Sequence, residues 1–114
     1  MDATELIMLY DYYGDLLTER QRECFELRYN QDLSLGEIGQ ELGISRQGVY
    51  DNLSRTETQL RNMELKTGCV RRDLQCRKVI SSIYEAAQQL AEHDDRQVRA
   101  SAEQILTAIA ELKE

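Results

Sequence analysis

The apolar residues of this chain recur three or four positions apart, which is the spacing of one face of an α-helix. At the N-terminus they predict one helix over residues 4–13, which stops near Gly14, and a second over residues 19–29. Thr18 and Gln21 form a capping box for the second helix, because each side chain can pair with a backbone N–H group that otherwise lacks a partner. Ser34 and Glu37 form a second capping box, which predicts a short third helix through Leu42.

The segment SLGEIGQELGISRQGVYDNLSR, residues 34–55, has the residue pattern of a helix-turn-helix. Two short helices that cross closely need a small residue at the crossing and a residue that tolerates a left-handed turn. Gly39 and Gly43 meet these requirements. The inward positions of the motif are also apolar: Leu35, Ile38, Leu42, Ile44, Val49 and Leu53. Because these requirements have separate steric causes and are met together, we predict a helix-turn-helix here.

The second helix of the motif, capped by Ser45, is predicted to continue to about Lys66. Asp51 in this helix opposes DNA contact, since a carboxylate there faces the negative charge of DNA. The other polar side chains of its first turns can bond base edges or phosphates: Ser45, Arg46, Gln47, Tyr50, Ser54 and Arg55. Two alternatives remain, a merely solvated helix face and a motif that serves as a scaffold for protein contacts.

Beyond Thr67-Gly68 the pattern changes to two long amphipathic helices. One face of the first is marked by Val70, Leu74, Ile80, Ile83, Ala87 and Leu90. The second steps by four and three residues, a coiled-coil spacing, through Val98, Ala102, Ile105, Ile109 and Leu112. The turn is His93-Asp94-Asp95, with an Asp as helix cap. We predict a helical hairpin whose apolar stripes face each other or another surface, and whose regularity permits a homodimer.

The composition fits an all-α chain, predicted as a helix-turn-helix domain over residues 1–66 and a C-terminal amphipathic helical hairpin over 67–114. Proline and tryptophan are absent, which argues against a β-rich sandwich. Three cysteines and no signal-like apolar stretch indicate a reducing cytoplasm, and no window of ~20 apolar residues supports membrane insertion. We expect Cys24 in the core and neither a metal nor a cofactor, because the cysteine spacing and the single histidine do not match zinc sites.

Charge complicates the prediction of a nucleic-acid contact. The formal net charge of −7 disfavours tight, non-specific binding, which depends on neutralising phosphates. The one basic segment lies outside the helix-turn-helix and consists of Arg71, Arg72, Arg77 and Lys78. It is either an RNA-phosphate contact, with Arg71 and Arg72 as candidate residues, or a solvated helix face.

The cluster Tyr10-Asp11-Tyr12-Tyr13 is either a stacking surface for single-stranded nucleic acid or part of the core. We favour core packing. No Gly-rich phosphate loop, His-based nucleophile system or HExxH motif occurs in the chain, so we expect no enzymatic activity.

The run LTERQRECFELRYNQDLSLGEIGQELGISRQGVYDNLSRTETQLR resembles the fourth conserved region of bacterial sigma factors. Together with the preceding LYDYYGDLL, it resembles the YlxM-like family of small bacterial proteins, with SRQGVYDNLSRT as the most specific part. The resemblance implies a sigma region 4-like helix-turn-helix bundle whose second motif helix contacts DNA. It also implies a role in co-translational membrane targeting, because the YlxM-like family is associated with the gene for the signal recognition particle GTPase.

The leading hypothesis is therefore a non-enzymatic helix-turn-helix protein that binds nucleic acid or a ribonucleoprotein and modulates the signal recognition particle pathway. Its expected partners are DNA or the particle's RNA, and the particle's GTPase. The alternatives are a DNA-binding transcriptional regulator and a protein-interaction module that uses the apolar C-terminal helices.

Overall fold

The computed structural model describes residues 2–112, which form six α-helices, one 3-10 turn and no strand. The elements are α1 Ala3–Tyr13, the 3-10 turn Gly14–Leu16, α2 Glu19–Tyr29, α3 Leu35–Leu42, α4 Arg46–Thr67, α5 Cys69–Leu90 and α6 Arg96–Ala110. The all-α prediction is confirmed. The chain divides into two compact units, Met1–Val70 and Arg71–Glu114. Within the described part, no helix is both long and apolar enough to cross a bilayer.

The ends of the first helices are set by side-chain caps. Asp2 accepts the backbone N–H of Glu5 at the start of α1, at 2.9 Å. At α2 both bonds of the predicted capping box are present: the Gln21 backbone N–H donates to the Thr18 hydroxyl at 3.2 Å, and the Thr18 backbone N–H donates to the side-chain oxygen Oε1 of Gln21 at 3.0 Å. These caps satisfy N–H groups that a helix cannot pair internally, so local sequence alone determines where each helix begins.

Aromatic rings fill the space between α1 and α2 in the first unit. The rings of Tyr10 and Phe25 are stacked with centroids 4.2 Å apart, and Phe25 also packs on Tyr29 at 4.5 Å. Tyr13 is buried, whereas Tyr12 is at the surface. Core packing is therefore confirmed for Tyr10 and Tyr13. The buried cluster around these rings unites α1, α2, α4 and the start of α5 through Leu6, Leu9, Tyr13, Leu17, Phe25, Leu60 and Val70.

A hydrogen-bond network ties α1 to the junction between α4 and α5. The Tyr13 hydroxyl donates to a carboxylate oxygen of Glu64 at 2.6 Å and lies 2.6 Å from the Thr67 hydroxyl. The same Glu64 oxygen accepts the N–H of Val70 in the first turn of α5, at 3.0 Å. Burial and the bond to Glu64 both raise the pKa of Tyr13. One carboxylate thus joins residues from three helices.

The second unit is a helical hairpin, as predicted, but its buried seam is narrower than the predicted stripes. The most buried side chains are Ala87 on α5 and Ala102 and Ile109 on α6. Five apolar residues of the predicted stripes are substantially exposed and lie outside this seam: Leu74, Ile83, Leu90, Ile105 and Leu112. The physical reason is that two packed helices cover only one strip of each other, and these side chains point away from it. Val70 belongs to the core of the first unit instead.

We predict that Tyr13→Phe lowers the free energy of unfolding by about 1.5–3 kcal/mol, because it leaves a partly buried carboxylate without its hydroxyl donor. Thermal or urea unfolding followed by circular dichroism measures the change. The matched control is Tyr29→Phe, which removes a hydroxyl that makes no hydrogen bond within residues 2–112. Equal losses in the two variants would show that the network does not hold α1 to the junction.

Candidate nucleic-acid interface

The turn between α3 and α4 places the two helices of the motif in close contact. Ser34 and Glu37 form both bonds of the predicted capping box, at 3.1 and 2.9 Å. Hydrogen bonds from the backbone N–H and then the side chain of Ser34 to the Glu37 carboxylate lower the pKa of Glu37. Gly43 ends α3 in the left-handed conformation, with φ of 70°, as predicted. The N–H of Ile44 then donates to the carbonyl of Gly39 at 3.0 Å, which turns the chain sharply into α4.

Gly39 lies at the closest approach of this turn. A Cβ atom at position 39 would be 2.7 Å from the carbonyl oxygen of Ile44, closer than real Cβ atoms approach other atoms. The contact is with backbone, which cannot swing aside as a flexible side chain can. The predicted need for a small residue at position 39 is therefore confirmed, and its cause is one specific carbonyl group.

A second apolar cluster holds α3 and α4 against α2. Cys24, Ile38 and Val49 are fully buried at its centre. Burial raises the pKa of the Cys24 thiol, so this cysteine is a small apolar core residue, as expected. The remaining predicted inward positions are half-buried around them: Leu35, Leu42, Ile44 and Leu53. With its inner face occupied in this way, α4 has a fixed outward face.

Most of the predicted contact residues lie on that outward face. Arg46, Gln47, Tyr50, Ser54 and Arg55 are all exposed, with Tyr50 at 55%. They cover the first three turns of α4, which follow directly from the glycine turn. All five side chains are therefore accessible on these turns, with Arg46 and Arg55 at opposite edges of the outward face.

Ser45 has a different position from the rest of the predicted set. Its hydroxyl accepts the backbone N–H of Gly48 at 2.9 Å and caps α4. The hydroxyl oxygen is engaged in this bond, although the residue is exposed. Its main role in the structure is thus to fix the start of the helix that carries the other side chains.

Gln47 and Asp51 form a pair one turn apart on the outward face. The amide nitrogen of Gln47 donates to a carboxylate oxygen of Asp51 at 3.0 Å. Because the amide nitrogen of Gln47 is engaged in this bond, its amide oxygen is left to contact a partner, and the carboxylate of Asp51 adds acceptor oxygens beside it. The pair therefore presents hydrogen-bond acceptors, whereas Arg46 and Arg55 present donors.

The outward face extends farther along α4 than the predicted contact residues. Arg61 and Lys66 are also exposed, and Asp51 is the one exposed carboxylate of this helix. The other two acidic residues of α4 are half-buried, and one of them, Glu64, is held in the Tyr13 network. In the sequence, polar residues spaced three and four positions apart, from Gln47 through Thr58 to Arg61, could have predicted this extension. The exposed surface of α4 is thus locally basic in an acidic chain.

Arg71 and Arg72 are exposed residues of α5 and belong to the second unit. The structure does not bring them together with the α4 residues inside one compact unit. They share their part of α5 with an ion pair between Arg77 and Asp73, whose closest atoms are 3.4 Å apart. Within residues 2–112 no group of three or more His, Cys, Asp or Glu side chains is arranged to hold a metal ion.

A short helix joined by a glycine turn to a longer one, which has an exposed polar face at its start, defines a helix-turn-helix protein. The chain belongs to UPF0122, a family described as "Putative helix-turn-helix protein, YlxM / p13 like", whose model matches residues 1–101. The resemblance to YlxM-like proteins is therefore confirmed. The family description names a motif and no catalytic activity.

Curated relatives carry the same family name and align over almost the full chain. A UPF0122 protein of Thermoanaerobacter sp. (strain X514) is 43% identical over 112 residues, which cover 97% of this chain and 96% of the relative. One from Bacillus cereus (strain AH187) is 36% identical over 110 residues, 96% of each chain. One from Acetivibrio thermocellus is 54% identical over 71 residues, which cover 62% of this chain and 61% of the relative.

We predict that Gly39→Ala lowers the free energy of unfolding by about 1–3 kcal/mol, because the added methyl group forces the Ile44 carbonyl away from its place. Gly36→Ala is the matched control in the same helix. A Cβ at position 36 would meet only the Ser34 hydroxyl at 3.9 Å, so this variant is neutral or more stable by up to about 1 kcal/mol. Unfolding midpoints that fall equally in the two variants would contradict the steric role of Gly39.

Proposed function

We propose that this chain binds nucleic acid, without catalysing a reaction, through the outward face of α4, and that it modulates the signal recognition particle pathway. The observation that supports the binding surface is the exposure of Arg46, Gln47, Tyr50 and Arg55 on a helix whose inner face is fixed by the core. Side chains with these groups can bond phosphates and base edges when a helix enters a groove.

The charge distribution supports selective rather than broad binding. The whole chain carries a formal charge of −7, which repels polyanions at a distance. The outward face of α4 is locally attractive to phosphates, because four exposed cations accompany its single exposed carboxylate: Arg46, Arg55, Arg61 and Lys66. Few phosphates can be neutralised by such a surface, so affinity must come largely from directional contacts.

The pathway part of the proposal rests on the resemblance to YlxM-like proteins. It names two partners, the RNA and the GTPase of the signal recognition particle, and places the protein in the cytoplasm. The direct test measures binding of the full chain to that RNA, to that GTPase and to random-sequence duplex DNA, at moderate salt. Binding to the RNA or the GTPase above the DNA level is expected. If the chain binds neither the RNA nor the GTPase, the pathway part of the proposal is wrong. The contact surface on α4 is tested separately by the variants below.

We predict that Arg46→Ala and Arg55→Ala each weaken binding of the nucleic-acid target by roughly 5- to 150-fold, which corresponds to about 1–3 kcal/mol per lost contact. If the lost contact is to a phosphate, the slope of log affinity against log salt concentration also becomes shallower by about one. Filter binding or fluorescence anisotropy over a salt series measures both quantities.

Arg96→Ala is the matched control, because it removes the same charge from an exposed position of the second unit. It is expected to leave affinity and salt dependence unchanged. If Arg96→Ala weakens binding as much as Arg46→Ala, general charge rather than the α4 face determines affinity.

The second candidate function is a sequence-selective regulator that binds duplex DNA. The paired side chains of Gln47 and Asp51 favour it, because their oxygen atoms can accept hydrogen bonds from the amino groups of adenine or cytosine in the major groove. A-form RNA does not offer this groove to side chains, so the pair is an argument for DNA specifically.

We predict that Asp51→Ala lowers the selectivity of the chain among duplexes and raises its affinity for all of them several-fold, because it releases Gln47 and removes the one exposed carboxylate of α4. Selection from a random duplex library, followed by affinity measurements on the selected duplexes, measures both effects. A variant with unchanged selectivity, or a wild-type chain that selects no sequence at all, contradicts the regulator function.

A further inference from the structure

The apolar surface of the hairpin is wider than the seam that joins its two helices. The seam residues are Ile80, Tyr84 and Ala87 on α5 and Ala91 directly after it, which are buried or half-buried. A second row lies about a quarter-turn away around the same helix. All of its members are exposed, and they repeat at three and four residues: Cys76, Val79, Ile83, Ala86 and Leu90.

A corresponding row runs along α6. Its members are Ser101, Ile105 and Ala108 on α6 and Leu112 in the turn after it, all exposed, and the seam of α6 is formed by Val98, Ala102 and Ile109. In both helices the row is displaced from the seam in the same rotational sense. In an antiparallel hairpin, rows displaced in this way lie on the same side, as equivalent flanking positions do in an antiparallel coiled coil. The two rows thus form one continuous surface without a charged side chain, which we call the open face.

We propose that the open face is a dimer interface, in which α5 of one copy packs antiparallel on α5 of a second copy. The two-fold axis passes near Ile83, the middle residue of its row. Cys76 then lies opposite Leu90 of the second copy, so each apolar residue of the row meets another. A two-fold interface uses the same surface twice, and a row that is apolar from end to end is complementary to itself.

The open face is large enough to form a stable interface with a second copy of the chain. α5 has 22 residues, so the hairpin is about 33 Å long and roughly 20 Å across two helices. The five large side chains of the face are 39% to 65% exposed: Val79, Ile83, Leu90, Ile105 and Leu112. Two such faces together bury about 1,200–1,600 Å², which is the range of stable interfaces.

The charges at the two ends of α5 determine the direction of pairing. Its N-terminal end is basic, with four cations against Asp73: Arg71, Arg72, Arg77 and Lys78. The turn after its C-terminal end carries three carboxylates, Glu92, Asp94 and Asp95, against Arg96 and Arg99. An antiparallel pair places the basic end of one copy beside the acidic end of the other, whereas a parallel pair places like charges together. The acidic turn also distinguishes this face from membrane-surface helices, which carry cations along their polar side.

Dimerisation gives each assembly two helix-turn-helix units. A target with two binding sites is then bound through both units, and the second contact forms at high effective concentration. This consequence does not depend on which nucleic acid or protein is the partner.

Sedimentation equilibrium of the full chain at tens of micromolar tests the interface, with a dimer of twice 13.2 kDa expected. Ile83→Asp places a carboxylate at the axis and is expected to give a folded monomer. Leu74→Asp is the matched control, because Leu74 is 45% exposed, against 46% for Ile83, and lies on the opposite side of α5. It is expected to remain dimeric. A monomeric wild-type chain, or a dimer lost in Leu74→Asp but kept in Ile83→Asp, overturns the proposal.

A disulfide test reports on the register even if Ile83→Asp fails to fold. In a Cys69→Ser background, Leu90→Cys puts a thiol opposite Cys76 of the second copy. Diamide takes up two electrons and two protons from each pair of thiols, and covalent dimers are expected. Cα atoms of Cys76 and residue 90 within one straight helix are about 21 Å apart, so an intrachain bond cannot form. Leu74→Cys in the same background should give few dimers, and equal yields from the two variants overturn the register.

Discussion

The first unit depends on one close approach, that of the Gly39 backbone to the carbonyl group of Ile44. Because no Cβ intervenes at position 39, α3 can end, reverse through Gly43 and deliver the chain into α4 within a few residues. This crossing buries Ile38 and Val49 together and fixes which side of α4 faces inward. The outward side, which begins at Arg46, is exposed as a consequence. The exposure of the candidate interface thus follows from the backbone contact between Gly39 and Ile44.

A second constraint operates at the far end of α4. There Glu64 accepts hydrogen bonds from Tyr13 on α1 and from the first turn of α5, so the same helix is held at its start by packing and near its end by a carboxylate. The outward face between these two ends is accessible. A binding surface on a helix fixed in this way loses little conformational freedom on contact with a partner.

The sequence predicted those features whose causes are local. Capping boxes at Thr18 and Ser34 and the left-handed Gly43 depend on neighbours within a few residues, and the structure has each of them. Two features could not be predicted in this way. The bond from Tyr13 to Glu64 joins residues 51 positions apart, and no local pattern indicates it. The inward and outward rows of the hairpin have the same spacing in sequence, so periodicity could not tell Ile83 from Ala87, and only packing separates them.

The central claim is that the outward face at the start of α4 is the surface that contacts nucleic acid. Backbone amide spectra of the isotope-labelled chain, recorded during titration with a bound RNA or DNA, test it most directly. The account predicts that the largest shifts fall on residues 46–55, while the buried amides of Ile38 and Val49 change little. Shifts confined to α1 or to the hairpin, with residues 46–55 unaffected at saturation, would contradict it.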